Sequence, residues 1–428
     1  MNNYHDENEF VLGRVIVAFG EDSTFLKKLI HFDKNLVANG IEIVGVEILH
    51  HPHSLQDSNT YSKNSDHNIA LIKIKSKKKE AVVEAIDILR QNPNVLYAEP
   101  DWLMHLDRIP NDPHFRSLWG LQKIKAPSAW SRLTGNPSVV VGVIDSGINY
   151  YHEDLRNNIL ITKYFDQHEE GICGWDFVHD DYDPLDKNGH GTHVAGIIGA
   201  AGNNGIGIVG VNWDIKMVAL KISASGTICT SAAIKAVEYA IDKEIPILNN
   251  SWGGRIYSES LKTTIEQYHG LFIASAGNSS LDNDIYPHYP ASYECNNIIS
   301  VAATDHDDNL TSFSNYGSST ADIAAPGAEI YSCLLGNEYG FWSGTSMAAP
   351  HVAGAAALLK GYRPELSALE IKSIILSSAD KIPSLSGKVL TGGRLNVNAM
   401  LNMADSTVHY VMKHPAIDDK IFSNYRKS

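Results

Sequence analysis

A series of apolar, β-branched runs separated by longer helix-forming segments is the feature that most constrains the fold. Five such runs lie at 139–144, 217–222, 245–250, 271–276 and 298–303. Strands that alternate with helices form βαβ units, whose parallel strands are buried on both faces. We therefore predict an α/β domain with a mostly parallel sheet. With 428 residues, the chain is long enough for a second domain.

The first of these runs ends in a turn that carries a candidate catalytic acid. Asp145 follows Val139–Ile144 directly and precedes Ser146 and Gly147. In an open α/β sheet, ligands bind beyond the carboxyl ends of the strands, so this position suits catalysis. A solvated aspartate in an Asp-Ser-Gly turn is the alternative interpretation, because such turns are common.

A histidine between two glycines is the candidate base. His190 stands just ahead of a small, apolar stretch at 194–201 that is predicted to be helical. His193 follows three residues later and could suggest a metal site. The zincin motif, however, requires histidines four residues apart with an intervening glutamate, and the chain has neither feature here. We therefore interpret His193 as a structural core histidine.

A serine at the start of a predicted buried helix is the candidate nucleophile. Ser346 opens the small, apolar stretch Met347–Leu359. Pro350 is tolerated only near a helix start, which agrees with a helix that begins near Ser346. The G-x-S-x-G motif of α/β-hydrolases is absent, since its fifth position is Ala348. An ordinary serine N-cap is the alternative.

These three residues have the chemical types that nucleophilic catalysis requires. A serine hydroxyl needs a base within hydrogen-bond reach, and the base needs a third group to orient it. We assign Ser346 as nucleophile, His190 as general base and then acid, and Asp145 as orienting carboxylate. In their order, and in the segments around them, the chain resembles the subtilisin-like serine proteases (subtilase family, peptidase S8). The resemblance implies a three-layer α/β domain and a serine endopeptidase that acts through an acyl-enzyme.

The same resemblance implies an oxyanion hole and a substrate-binding site. Asn278 and the backbone N–H of Ser346 are the implied oxyanion donors. The positions that match the substrate-binding segments are Ser251, Trp252, Gly253, Gly254, Ala276 and Gly277. They imply a polypeptide substrate bound as an extended strand. His288 matches a position near the base of the pocket for P1, the residue whose carbonyl is attacked. A histidine there would favour an acidic P1 residue, and a broad apolar preference is the alternative.

The resemblance also implies a structural calcium site. Calcium takes six to eight oxygen ligands from carboxylates, amides and backbone carbonyls. The matching side chains are those of Asp112, Asp154 and Asn204, and the matching carbonyls are those of Gly202, Ile206 and Ile208. A Gly- and Asn-rich surface loop that holds no ion is the alternative.

Residues 1–105 have a different pattern from the rest of the chain. Strands at 11–19, 41–48, 69–75 and 95–99 and helices at 25–38 and 79–92 are predicted, which is a ferredoxin-like β-α-β-β-α-β order. This region resembles the inhibitory, I9-type propeptide of subtilases, which assists folding of the protease. We expect a catalytic domain at 106–402 and a C-terminal tail at 403–428. The linker 101–111 has no paired basic site, so self-cleavage of a zymogen is favoured.

Charge and composition limit the partners and the compartment. The net charge of −14 argues against nucleic acid and anionic membranes as partners. The N-terminus lacks the apolar region of a signal peptide, which predicts a cytoplasmic protein, although subtilases with long propeptides are usually secreted. None of the four cysteines forms a C-x-x-C pair, which argues against a zinc site and thioredoxin-like chemistry. Four cysteines allow three disulfide pairings, but free buried thiols fit a cytoplasmic chain better.

Two alternative functions remain at this point. One is a dedicated processing protease with a single peptide substrate, which a narrow peptide-library profile would distinguish from a broad protease. The other is a pseudoprotease that acts as a binding scaffold. A scaffold would not react with a fluorophosphonate probe at Ser346.

Overall fold

The computed structural model describes residues 10–20, 23–30, 36–38, 41–50, 67–102, 108–161 and 174–413. The chain divides into two compact units, Met1–His105 and Leu106–Ser428. Residues 103–107 of the linker and most of the polar, His-rich segment at 50–68, predicted to be a loop, lie outside the described residues.

The N-terminal unit is an antiparallel sheet with two helices. Its elements are β1 (Phe10–Gly20), α1 (Thr24–Ile30), β2 (Leu36–Ala38), β3 (Ile41–His50), β4 (His67–Ile74), α2 (Lys79–Arg90) and β5 (Val95–Trp102). The strand order is β2-β3-β4-β1-β5, and every neighbouring pair is antiparallel. Val15, Val17 and Phe19 of β1 join buried residues of α2, such as Val82 and Ile86, in one core. The predicted ferredoxin-like arrangement is therefore confirmed.

One predicted element of this unit is wrong. The helix expected over 25–38 ends at Ile30, and Leu36–Ala38 form strand β2 instead. In this strand Leu36 pairs with Ile43 and Ala38 pairs with Ile41. The intervening dipeptide is Asn-Gly, the strongest short-range hairpin signal, and it outweighs the helical periodicity.

The second unit is built on a large sheet. Its strands are β6 (Gly135–Asp145), β7 (Gly174–Asp176), β8 (Asp214–Lys221), β9 (Ile247–Asn250), β10 (Leu271–Ser275), β11 (Ile298–Thr304), β12 (Ile323–Pro326), β13 (Ile330–Cys333), β14 (Tyr339–Trp342), β15 (Asp380–Lys381) and β16 (Gly393–Arg394). Its α-helices are α3 (Trp119–Lys123), α4 (Ala126–Ala129), α5 (His190–Gly199), α6 (Thr230–Asp242), α7 (Glu259–Gln267), α8 (Thr345–Tyr362), α9 (Ala368–Ser377) and α10 (Val397–Lys413).

The sheet order is β15-β16-β12-β11-β10-β9-β6-β8-β7, and only the β15–β16 pair is antiparallel. Successive side chains of β6 point to opposite faces. Val141 and Val143 pack in a core with α5 and α8, whereas Ile144 packs in a second core with α6 and α7. Helices cover both faces, so the predicted three-layer α/β domain with a mostly parallel sheet is confirmed.

The parallel strands bring several polar segments to one edge of the sheet. β6, β9 and β10 are neighbours and all run in the same direction. Asp145 ends β6, and the segments after Asn250 and Ser275 leave the sheet at the same edge. This edge is where an open α/β sheet binds its ligands.

The last helix of the second unit extends beyond the expected end of the catalytic domain. The expected boundary at residue 402 falls inside α10, and Ala404 beyond it is buried in the core. Cys229, Cys295 and Cys333 are free thiols, and Cys173 lies outside the described residues. Within the described ranges, no helix is both long and apolar enough to cross a membrane.

Candidate active site

A short contact between an acid and a histidine lies at the sheet edge. The Nδ1 atom of His190 is 2.7 Å from Oδ1 of the buried Asp145, and the backbone N–H of Ser146 donates to the same oxygen. His190 is the first residue of α5. The helix approaches this closely because Gly191 has no side chain: a Cβ there would lie 2.0 Å from the carbonyl oxygen of Gly147. Because Nδ1 contacts Asp145, the other ring nitrogen, Nε2, faces away from this carboxylate.

A second buried acid, Asp186, was not identified from the sequence. Its Oδ2 accepts hydrogen bonds from the N–H and hydroxyl of Thr192 in the first turn of α5. Its Oδ1 accepts a hydrogen bond from the Ser146 hydroxyl, and the oxygen of that hydroxyl accepts a hydrogen bond from the N–H of Gly191. Asp186 therefore joins the turn after β6 to the start of α5 and orients His190. An acid four residues before a helix that begins with histidine was the available signal, because carboxylates favour helix N-termini.

The candidate nucleophile stands in the first turn of α8. The Ser346 hydroxyl donates to the carbonyl of Ser251 at 3.1 Å, and no hydrogen bond to His190 is present among the described residues. The carbonyl of Ser346 accepts the hydroxyl of Ser251 at 2.9 Å. Pro350, four residues along the helix, has no N–H to occupy that carbonyl. Because of the proline, the Ser346 carbonyl is free to accept the Ser251 hydroxyl, and this hydrogen bond connects Ser251 to the start of α8.

Asn278 is held in a fixed orientation beside the same helix. Its amide oxygen accepts the N–H of Thr345 at 2.8 Å and the Thr345 hydroxyl at 2.9 Å. The amide nitrogen is left without a protein partner among the described residues. A Cβ at Gly344 would lie 3.5 Å from this nitrogen and 3.6 Å from the backbone nitrogen of Ser346. Glycine at position 344 therefore keeps a small space open between two N–H donors.

The three histidines of this region differ in their electrostatics. Burial lowers the pKa of His190, but the charge and hydrogen bond of Asp145 and the charge of Asp186 outweigh burial, so its pKa is raised from 6.5. Burial lowers the pKa values of His193 and His351 to about 4. His193 stacks on Trp342 with ring centroids 5.0 Å apart. Only His190 combines a carboxylate partner with a raised pKa.

The predicted substrate-binding residues form two segments on either side of the start of α8. Residues 251–254 follow β9, and Ala276 and Gly277 follow β10. Ala276 is fully buried, its N–H donates to the carbonyl of Val301, and its carbonyl accepts a hydrogen bond from the side chain of Asn283. Ser251 and Gly277 are also buried, Trp252 and Gly254 are half-buried, and Gly253 is exposed.

The residues of the predicted calcium site also come together. Asp154 accepts the N–H of Ile208 and the side-chain amide of Asn204, and Asp112 accepts the N–H of Asn203. The carbonyls predicted as ligands, those of Gly202, Ile206 and Ile208, accept no hydrogen bond from the described residues. No cluster of three or more His, Cys, Asp or Glu side chains suited to a metal occurs in the described part of the chain.

Comparisons with known proteins agree with this geometry. The profile of the subtilase family matches residues 136–404. The thermophilic serine proteinase of Bacillus sp. (strain AK1) is 35% identical over 401 residues, which cover 92% of this chain and 89% of the relative. Thermitase of Thermoactinomyces vulgaris is 39% identical over 294 residues, or 67% of this chain and 97% of the relative.

A solved structure shows the same fold. A protease from Pseudoalteromonas arctica PAMC 21717 aligns with a TM-score of 0.61 and 28% identity, covering 69% of this chain and 100% of that one. The chain therefore belongs to the subtilase family, as its mostly parallel sheet and the family match both indicate. It is a subtilisin-like serine-type endopeptidase.

Proposed function

We propose that Asp145, His190 and Ser346 form the catalytic triad of a self-processing serine endopeptidase. The observation that carries this proposal is the 2.7 Å contact between His190 Nδ1 and the buried Asp145. That contact fixes the tautomer in which Nε2 is free to accept a proton. Ser346 lies in the first turn of α8, where it forms hydrogen bonds with Ser251 in the loop after β9.

In the first chemical step the Ser346 oxygen attacks the substrate carbonyl while Nε2 of His190 takes its proton. The hydroxyl first turns away from the Ser251 carbonyl, its partner in the resting state. Asp145 stabilises the imidazolium that forms, without itself taking the proton. The imidazolium then protonates the leaving amine, which leaves an acyl group on Ser346. Water repeats the sequence with His190 as base and releases the acid product.

The negative charge that develops on the substrate oxygen is bound in the space beside Gly344. The amide nitrogen of Asn278 and the backbone N–H of Ser346 are the proposed donors. The two hydrogen bonds that Thr345 donates to the Asn278 side-chain oxygen orient the side-chain nitrogen toward this space before the substrate binds. Donors that are already oriented cost no reorganisation during the reaction.

Asn278→Ala is expected to lower kcat by about 10²–10³-fold, roughly 3–4 kcal/mol, the loss found when subtilisin loses its corresponding donor. KM should change little, since the bond is made mainly in the transition state. Steady-state kinetics on a peptide substrate provide the measurement. Thr345→Val is the matched control, because it removes one anchor of Asn278 but keeps the donor, and its loss should be much smaller. Equal losses in the two variants would contradict the assignment.

We further propose that residues 1–105 are an inhibitory propeptide that assists folding. The alignment with the Bacillus sp. proteinase supports this, since 92% coverage of the chain must extend into the N-terminal unit. The intact mass of purified wild type should show clipping between about residues 100 and 111, and that of Ser346→Ala should show the full chain of 46.9 kDa. Clipping of both proteins alike would mean that another protease matures the chain.

We also propose that Asp112, Asp154, Asn204 and the free carbonyls of the 202–208 loop hold a structural calcium ion. Burial raises the pKa of both aspartates, and the charge of Asp112 further raises that of Asp154. Oδ1 of Asp112 is buried without a partner. Two buried carboxylates with an orphaned oxygen fit a cation, which would cross-link three separate segments. The Asn204 amide would turn its oxygen, rather than its nitrogen, toward the ion.

Calcium is expected to stabilise the protein by about 2.7 kcal/mol when its concentration is 100 times Kd. Burial raises the pKa of Asp154 to about 6 from 3.8. The metal-free protein therefore loses stability as pH rises from about 4 through about 6, where this carboxyl ionises. Calcium binds the ionised form, so the difference in Tm between calcium and EDTA should be large at pH 8 and shrink below pH 6.

Variants decide whether this site is responsible for the calcium effect. Asp154→Asn should abolish the calcium-dependent shift in Tm. Asp214→Asn, at an exposed aspartate at the start of β8, should preserve it. A shift that persists unchanged in Asp154→Asn would contradict the assigned ligands.

A further inference from the structure

His288 lies between the two chain segments that flank the nucleophile. A Cβ at Gly253 would lie 2.5 Å from its Nε2 atom, and a Cβ at Gly277 would lie 3.0 Å from its Cγ atom. The imidazole is therefore in contact with both glycines and spans the gap between the segments. Because neither glycine has a side chain, there is room for the ring between them.

The same two segments contact the start of α8. The carbonyl of Ser251 accepts the Ser346 hydroxyl, and the N–H of Gly277 donates to the Thr345 hydroxyl at 3.1 Å. The gap that contains His288 is thus next to the nucleophile. The P1 side chain of a substrate attacked by Ser346 would enter this gap.

The main chain of His288 is anchored, whereas its ring nitrogens are not. Its N–H donates to the hydroxyl of Ser292, and the next residue, Tyr289, exchanges two backbone hydrogen bonds with Gly254 at 2.7 and 2.8 Å. Neither ring nitrogen makes a hydrogen bond to the described residues. An imidazole that is fixed in position with free nitrogens can bind a ligand group without reorganising.

A second basic group, Arg255, lies next to this gap. Gly254 forms an antiparallel bridge with Tyr289, so the residue after Gly254 stands opposite the residue before Tyr289, which is His288. Arg255 is exposed, and its guanidinium lies 5.4 Å from the centroid of the Tyr286 ring. Burial lowers the pKa of His288, and the positive charge of Arg255 lowers it further. No carboxylate of the described residues forms an ion pair with Arg255 or acts on His288. In a chain of net charge −14, this gap is a local exception that favours a negative group.

We propose that this endopeptidase prefers substrates with an acidic P1 residue, whose carboxylate is bound by His288 and Arg255. The carboxylate accepts a hydrogen bond from the imidazole, and Arg255 supplies the stabilising charge. A neutral side chain of the same shape makes the hydrogen bond but gains nothing from the charge. The linker 101–111 contains two acidic residues, Asp101 and Asp107, as candidate P1 residues for self-cleavage. This specificity rests on the proposed role of Ser346.

The test compares peptide substrates that differ only at P1, with Glu, Gln, Asp or Phe at that position. Glu and Gln have the same shape, so the ratio of their kcat/KM values isolates the charge. We expect wild type to favour Glu over Gln by about tenfold or more. Arg255→Gln should bring this ratio close to one, because it removes the charge. His288→Asn should lower kcat/KM for the Glu and Gln substrates alike, because both accept the hydrogen bond of the imidazole. Lys235→Gln, which removes a positive charge from the exposed face of α6, should leave the ratio unchanged.

Labelling of each variant with a fluorophosphonate probe separates the possible failures. A wild type that is labelled but cleaves Gln and Phe substrates as well as Glu would overturn the acidic preference alone. A Glu preference that survives in Arg255→Gln, or kcat/KM values that do not change in His288→Asn, would overturn the assignment of the binding groups. A wild type that is neither labelled nor active would overturn the proposed triad, and the specificity with it.

Discussion

Ser346→Ala is expected to lower kcat by about 10⁶-fold, the loss found when subtilisin loses its nucleophile. The remaining activity would come from substrate binding and the oxyanion donors, which do not depend on the hydroxyl. The fold should be retained, since the hydroxyl makes one hydrogen bond, to the carbonyl of Ser251, and such a bond contributes about 1 kcal/mol. His190→Ala should cost about as much, and the double variant little more, because the two residues act as a unit.

The measurement is kcat on a peptide substrate together with labelling by a fluorophosphonate probe. Ser384→Ala is the matched control, because Ser384 is also a serine whose hydroxyl donates to a backbone carbonyl, that of Asp308. The control should keep full activity and labelling. Labelling of Ser346→Ala at another residue, with activity retained, would contradict Ser346 as nucleophile.

Asp145→Asn is expected to lower kcat by about 10⁴-fold near neutral pH. An asparagine amide at this position can donate to Nδ1 of His190, which would hold the imidazole in the tautomer with its proton on Nε2. In that tautomer Nε2 cannot accept the serine proton. The variant also loses the negative charge that stabilises the imidazolium.

The pH profile provides a second readout of the same variant. Burial lowers the pKa of His190, but the charge and hydrogen bond of Asp145 and the charge of Asp186 together outweigh burial and raise it. Without that charge burial dominates, so the pKa of His190 should fall. Because the base must be neutral, the acid limb of kcat/KM should move to lower pH. Asp180→Asn, at an exposed position, should leave both rate and profile unchanged, and an unshifted limb in Asp145→Asn would contradict the pairing.

Local patterns were sufficient to predict the element types and the candidate residues. The five apolar runs became β6, β8, β9, β10 and β11, with ends that differ by a few residues. Asp145 and Ser346 were predictable because each stands where a run changes character, at the end of a strand and at the start of a helix. Parallel order followed from the same alternation, because parallel strands need long crossover connections.

Other features could not be predicted, because they depend on contacts between distant segments. The position of Asp186 just before α5 is a local signal, but its hydrogen bonds to Ser146 and to the first turn of α5 depend on contacts that no local pattern records. The helix predicted over 25–38 failed because strand pairing, rather than periodicity, decided the conformation at 36–38.

The periodicity of the chain was enough for the class of fold, because side-chain spacing reports which face of an element is buried. It carries no information about distances across the fold. The 2.7 Å contact between Asp145 and His190 joins residues 45 positions apart, and the gap that contains His288 lies between segments from two different strands. Only tertiary packing places α5 against the end of β6, which brings Asp145 and His190 within hydrogen-bond range. The same packing places the start of α8 beside the loops that follow β9 and β10.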